Sequence, residues 1–146
     1  MENNIKQIKN SVAFVIYNSD RSKFLIVRRP VDDNNFPNVW SLPAGTLLNN
    51  ETFEDAVIRS LNDKLGVEGE IIKLIGEGEI ERDKYILHMK EFEVIIKNGT
   101  PSVPQTKSGI TQYTEWKWGI ADDLIDAVSK GALCSRLYLE SINKSW

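Results

Sequence analysis

The chain carries a single cysteine, Cys134, so no disulfide can form within it. That excludes a disulfide-stapled scaffold and fits a reducing compartment. Long apolar runs are also missing; the longest are of strand length, far short of the roughly 20 residues that span a bilayer. Neither charge predominates. With 18 basic and 21 acidic residues the net charge is −3, which offers no global attraction for a nucleic-acid polymer or an anionic membrane. Any phosphate binding must then come from a local arrangement of side chains. Residues 1–10 are polar and lysine-bearing, without the apolar stretch of a signal peptide, so a cytoplasmic location is the default expectation. What is present is ordinary for a globular chain. Hydrophobic residues make up 41% and charged residues 27%, enough to bury a core and stay soluble. A length of 146 residues predicts one domain over 1–146.

Along the chain, residues 11–17 contain Val-Ala-Phe-Val-Ile and read as a buried strand. Residues 18–22 are turn chemistry, and 23–29 read as a partner strand, so the two predict a hairpin. Pro30 ends it, because proline cannot donate to a ladder. Residues 31–38 form a polar loop, after which Trp40-Ser41-Leu42-Pro43-Ala44-Gly45 returns to the core. Residues 52–65 predict a helix. Thr52 can cap it, with Asp55 three residues on in a near capping box. Phe53, Ala56, Val57, Leu61 and Leu65 recur at helical spacing, and Gly66 stands where a left-handed terminator is wanted. Residues 69–80 and 85–96 predict two long strands joined by a charged turn. Asn98-Gly99 is a further turn signal, followed by a loop over 100–111. A strand over 112–119, with Trp116 and Trp118 on one face, precedes short helices over 122–130 and 133–142. This order gives an α+β sandwich.

The chemical signal is concentrated between Gly45 and Val67. Gly45, Glu51, Arg59, Leu61, Gly66 and Val67 resemble the Nudix box, which reads Gly, five residues, Glu, seven residues, Arg-Glu-apolar-any-Glu-Glu-any-Gly-apolar. The spacing matches without a gap. Arg28-Arg29 at a strand end, the Trp40–Gly45 approach, and Glu115-Trp116-Lys117-Trp118 before Asp122-Asp123-Leu124 are also similar to that family. The resemblance covers residues 11–142. It implies an α/β/α sandwich with a mixed sheet and a central box helix, and metal-dependent cleavage of a diphosphate linkage in a nucleoside diphosphate derivative. The chemistry explains the pattern. Splitting a diphosphate requires neutralising clustered oxygens and activating water, which divalent metals do. Magnesium wants converging hard oxygen ligands, and positions 60, 63 and 64 share one helix face. A glycine at 45 lets the backbone pass close to metal or substrate.

Two positions depart from the pattern. Ser60 and Lys64 stand where the family has glutamates, and Asp63 is one methylene shorter than the glutamate it replaces. Turning −1 into +1 beside a metal matters, since a unit charge pair a few ångströms apart is worth on the order of 4 kcal/mol at an effective dielectric near 20. By resemblance, Glu51, Arg59 and Asp63 are assigned to catalysis, with Glu51 and Asp63 holding Mg2+ or Mn2+. Arg29, Gly45 and Lys64 are assigned to substrate binding, joined by Phe36 as a loop aromatic able to stack on a ligand. Plainer readings stand beside these. Glu51 and Arg59 can simply brace the loop against the helix, Asp63 can be a solvated helix residue, and Lys64 can be either a metal mimic that meets phosphate or an ordinary exposed lysine. His88, the only histidine, Cys134 and the tryptophans at 40, 116 and 118 read as structural. A relocated metal site would need other acids. The segment 102–114 has none, only Lys107, whereas Glu77, Glu79 and Glu81 alternate along one strand. Two functions follow: a hydrolase of weak or altered activity, or a module that binds a small phosphate-containing ligand without turnover. A homodimer is left open.

Overall fold

Val12, Ala13, Phe14, Val15 and Ile16 are apolar toward both sides of one strand, so that strand belongs where both faces are covered. The computed structural model, which describes residues 5–30, 36–105 and 113–146, places it there. Strand β1 (Gln7–Val15) lies inside a mixed sheet. It pairs antiparallel with β4 (Ala44–Thr46) and parallel with β6 (Tyr85–Asn98), whose other edge takes β5 (Glu68–Glu81) antiparallel. A second, antiparallel sheet has β2 (Phe24–Arg28) between β3 (Trp40–Ser41) and β7 (Glu115–Gly119).

The hairpin expected of the first two strands is not a ladder. β1 and β2 belong to different sheets and pair as a hairpin only at the turn, through the antiparallel bridge between Tyr17 and Phe24, the Leu25 N–H bonded to the Ile16 carbonyl at 2.8 Å and the Asn18 N–H bonded to the Lys23 carbonyl at 2.9 Å. Both strands are apolar on both faces, and each finds two other partners.

The box helix, α1 (Phe53–Leu65), forms as its end signals dictate. The Thr52 hydroxyl accepts the Asp55 N–H at 3.0 Å, and the Asp55 carboxylate accepts the Thr52 N–H at 3.2 Å. Gly66 closes the helix at φ 67°, and the Val67 N–H reaches back to the Leu61 carbonyl at 3.2 Å. Ala56, Val57, Leu61 and Leu65 pack with Val12, Phe14, Phe92 and Val94 on one side of the sheet. Burial of a leucine-sized side chain stabilises by about 1.5–3 kcal/mol, so Leu61 and Leu65 do much to fix the helix against the strands. The other side is covered by α2 (Ile125–Ser129) and α3 (Leu133–Ser141), which pack on Ala13, Val15, Ile26 and Met89. The helix expected over 122–130 opens as a 3-10 turn, Ala121–Leu124, because the Asp123 carboxylate accepts the Ile120 N–H at 2.9 Å and tightens the entry. Helices therefore lie on both faces of a mixed sheet. Residues 31–35, and 106–111 of the expected loop over 100–111, lie outside the described residues.

Candidate functional site

β4 and the loop after it run along one side of α1, and the box side chains meet in the crevice between them. Arg59 organises the solvent side. Its Nε and Nη2 donate to the two carboxylate oxygens of Glu51 at 2.7 and 3.0 Å, and Nη2 also donates to the Thr46 carbonyl at 2.8 Å. Glu51 accepts the Leu48 N–H as well, at 2.8 Å. The hydrogen bonds from Arg59 hold the Glu51 carboxyl below the usual carboxylate range. Asp63 stands one turn on, 3.7 Å from Arg59 Nη1. The expected pairing of Glu51 with Arg59 thus exists, and it ties the loop to the helix.

The inner side holds the two departures. Ser60 is fully buried, and its hydroxyl has no hydrogen-bond partner among the described residues. It lies directly beneath Gly45, where an added Cβ would stand 2.2 Å from Ser60 Oγ. Serine is small enough for the loop to settle onto the helix at this point, and glycine is required opposite it. Lys64 is 9% exposed rather than solvent-facing. Its Nζ donates to the Ala44 carbonyl at 2.5 Å and lies 5.5 Å from the centre of the Tyr113 ring. Tyr113 is a site residue the sequence reading missed. Its hydroxyl donates to the Ala44 carbonyl and accepts the Ala44 N–H, both at 3.0 Å, so it holds the two peptides on either side of the Ala44 Cα. No local pattern around position 113 signals this, since its partner is 69 residues away.

The remaining candidates are placed elsewhere. Arg29 lies with its guanidinium 5.6 Å from the Phe36 ring centre, and Arg82 approaches the same ring at 5.5 Å. Phe36 is itself 9% exposed and packs into the core beside α2 and α3. Arg28 pairs with Glu115 at 2.6 Å, and Lys117 covers the Trp40 ring at 4.5 Å. Trp116 and Trp118 meet edge to face at 5.6 Å and pack against the α1 side of the core. Of the acids considered for a relocated site, Glu77 bonds His88 at 2.6 Å and Glu81 pairs with Lys6 at 2.6 Å. His88 is also bonded to Asn10 at 2.9 Å, in keeping with a structural role. Cys134 is buried. Lys107 lies outside the described residues.

A divalent metal requires several oxygens converging on one point. Glu51 has both oxygens engaged, Asp63 faces Arg59, and Ser60 and Lys64 supply a hydroxyl and a cation where carboxylates would be needed. Among the described residues, no three of His, Cys, Asp and Glu come together as a metal-binding group. The donor set does not fit a divalent metal.

Mixed sheet, flanking helices and a glycine loop leading into a capped helix define the Nudix class of fold. A family model described as NUDIX domain matches residues 8–129, and the chain belongs to that family. Solved structures agree on the fold. A MutT protein from Methanosarcina mazei Go1 is 19% identical, with 94% of this chain and 95% of that one covered and a TM-score of 0.71. A NUDIX hydrolase from Nitrosomonas europaea is 18% identical over 94% and 89%, with a TM-score of 0.72. An ADP-ribose pyrophosphatase from Streptococcus suis 89-1591 is 17% identical over 94% and 94%, with a TM-score of 0.62. No curated protein sequence matches the chain significantly. Among the described residues, no helix is long and apolar enough to cross a membrane.

Proposed function

We propose that this chain is a Nudix-fold protein that binds a small ligand bearing a diphosphate, of the nucleoside diphosphate type, and hydrolyses it through the metal-dependent route slowly or not at all. One observation carries the reading: Lys64 is folded into the box crevice with its ammonium on the Ala44 carbonyl, not turned out to solvent. A fixed positive charge there opposes a divalent cation, and the neighbouring carboxylates are held by Arg59. Family membership supports the ligand class, since solved neighbours carry names such as ADP-ribose pyrophosphatase and UDP-X diphosphatase. The lone, buried Cys134 suits a cytoplasmic setting.

The test is turnover and binding measured together on nucleoside triphosphates, sugar nucleotides and dinucleotide cofactors. The expected result is saturable binding of at least one compound, with Mg2+- or Mn2+-dependent turnover far below the roughly 10 s−1 of a typical enzyme. Turnover at that ordinary rate would favour the second reading, a working hydrolase, which family membership supports. An absence of binding across the panel would remove the first.

A further inference from the structure

A charged group that is nearly buried is stabilised by a counter-charge, and among the described residues Lys64 has none. Lys64 takes part in none of the ion pairs formed among the described residues. The nearest box acids are committed: Glu51 to Arg59 through two hydrogen bonds, Asp63 to the same guanidinium at 3.7 Å. An ammonium carries three donors. One is on the Ala44 carbonyl at 2.5 Å, and the Tyr113 ring offers a π-face at 5.5 Å. Among the described residues no further acceptor reaches it. Residue 45 brings no side chain to it, being glycine; a Cβ there would stand 3.8 Å from Nζ and only 2.2 Å from Ser60 Oγ, so the space on that side of the ammonium is already taken by Ser60. The crevice therefore holds a cation anchored on the carbonyl of Ala44, a residue whose N–H and C=O Tyr113 both engages, with donors left over and, among the described residues, no anion. A nearly buried ammonium without a counter-charge is disfavoured, and an anion brought against it relieves that cost.

We infer that Lys64 is the resident cation of this crevice and that it contacts a phosphate group of the ligand directly, without a metal ion. A diphosphate suits the position, since its clustered oxygens can accept both remaining ammonium hydrogens while its charge is met by a cation the fold already provides. Tyr113 shares the Ala44 carbonyl with Lys64, both donating to it. The inference rests on the reading that the ligand carries a diphosphate.

The experiment titrates the full chain with inorganic pyrophosphate in the presence of EDTA, following lysine side-chain signals by NMR together with calorimetry. Wild type should bind, with the Lys64 signal moving more than those of the exposed lysines. Lys64→Met should weaken binding at least tenfold, and Lys64→Arg should retain part of it. Three results would overturn the inference: pyrophosphate that binds only when Mg2+ is added, a Lys64 signal that stays still on saturation, or unchanged affinity in Lys64→Met. If that variant fails to fold, the wild-type lysine signal still decides. Metal-free binding with Lys64 unmoved would sink this inference alone, whereas rapid Mg2+-dependent turnover would sink the functional reading beneath it.

Discussion

Glu91 sits in β6 opposite Ala13 of β1 and Gly76 of β5, fully buried, with neither carboxylate oxygen hydrogen-bonded among the described residues. Burial pushes its carboxyl well above the usual range, so the neutral acid is the favoured form in the core. The unfolded chain titrates near 4.5. With the folded value raised, the protonated group's stabilising contribution is fully present below the unfolded value. It fades as pH rises through the folded one. Glu91→Met should therefore stabilise the protein at neutral pH, by about 1–3 kcal/mol for an unpartnered buried polar group, and flatten the decline on the alkaline side. Denaturant titrations of both proteins from pH 5 to 9 check this; parallel pH profiles would contradict it. Nothing in Lys90-Glu91-Phe92-Glu93 marks one glutamate as buried without a partner, because alternation shows which residues share a face and not which face is covered. Lys64 is a similar case. The sequence exposes it as a departure at a box position, yet lysine is so often solvated that its burial could be read only from the fold.

Individual elements were legible where local chemistry decides them. α1 has a capping box, an apolar stripe and a left-handed glycine within 15 residues, and the structure forms all three. Thr52→Ala removes the hydroxyl that accepts the Asp55 N–H and should cost about 1 kcal/mol, read as a lower denaturant midpoint with unchanged slope. A loss no larger than that of a surface control such as Asn62→Ala would show that the cap contributes little. Strand partners were less legible. β1 and β2 are adjacent in sequence and joined by turn residues, which suggested a hairpin, but partner choice depends on which apolar faces meet, and residues 85–98 and 115–119 offered better ones. Phe36 shows the same limit, since a polar stretch around an aromatic looks like an exposed loop until the core claims the ring.

For the whole molecule, the family and the α+β layering followed from the spaced box residues and the element order, while the chemical condition of the crevice did not. That condition depends on contacts between residues far apart: Lys64 with Ala44, Ala44 with Tyr113. A fold closed by its own ammonium should be indifferent to metal. Thermal midpoints with excess Mg2+ and with EDTA should coincide. A rise of about 3 °C or more with Mg2+, equivalent to roughly 1 kcal/mol of binding to the native state, would mean that carboxylates do converge on an ion.

The parallel pairing of residues 7–15 with residues 85–93 sets a schedule for the newborn chain. β1 is synthesised well before β6 and has no mate on that side until residue 93 has emerged, so an apolar ribbon waits while the intervening residues are made. Its antiparallel neighbour at 44–46 arrives sooner but is only three residues long, too brief to shelter it. Nascent chains stalled before residue 93 should be the aggregation-prone species of this protein, and those stalled beyond it should begin to resist proteolysis.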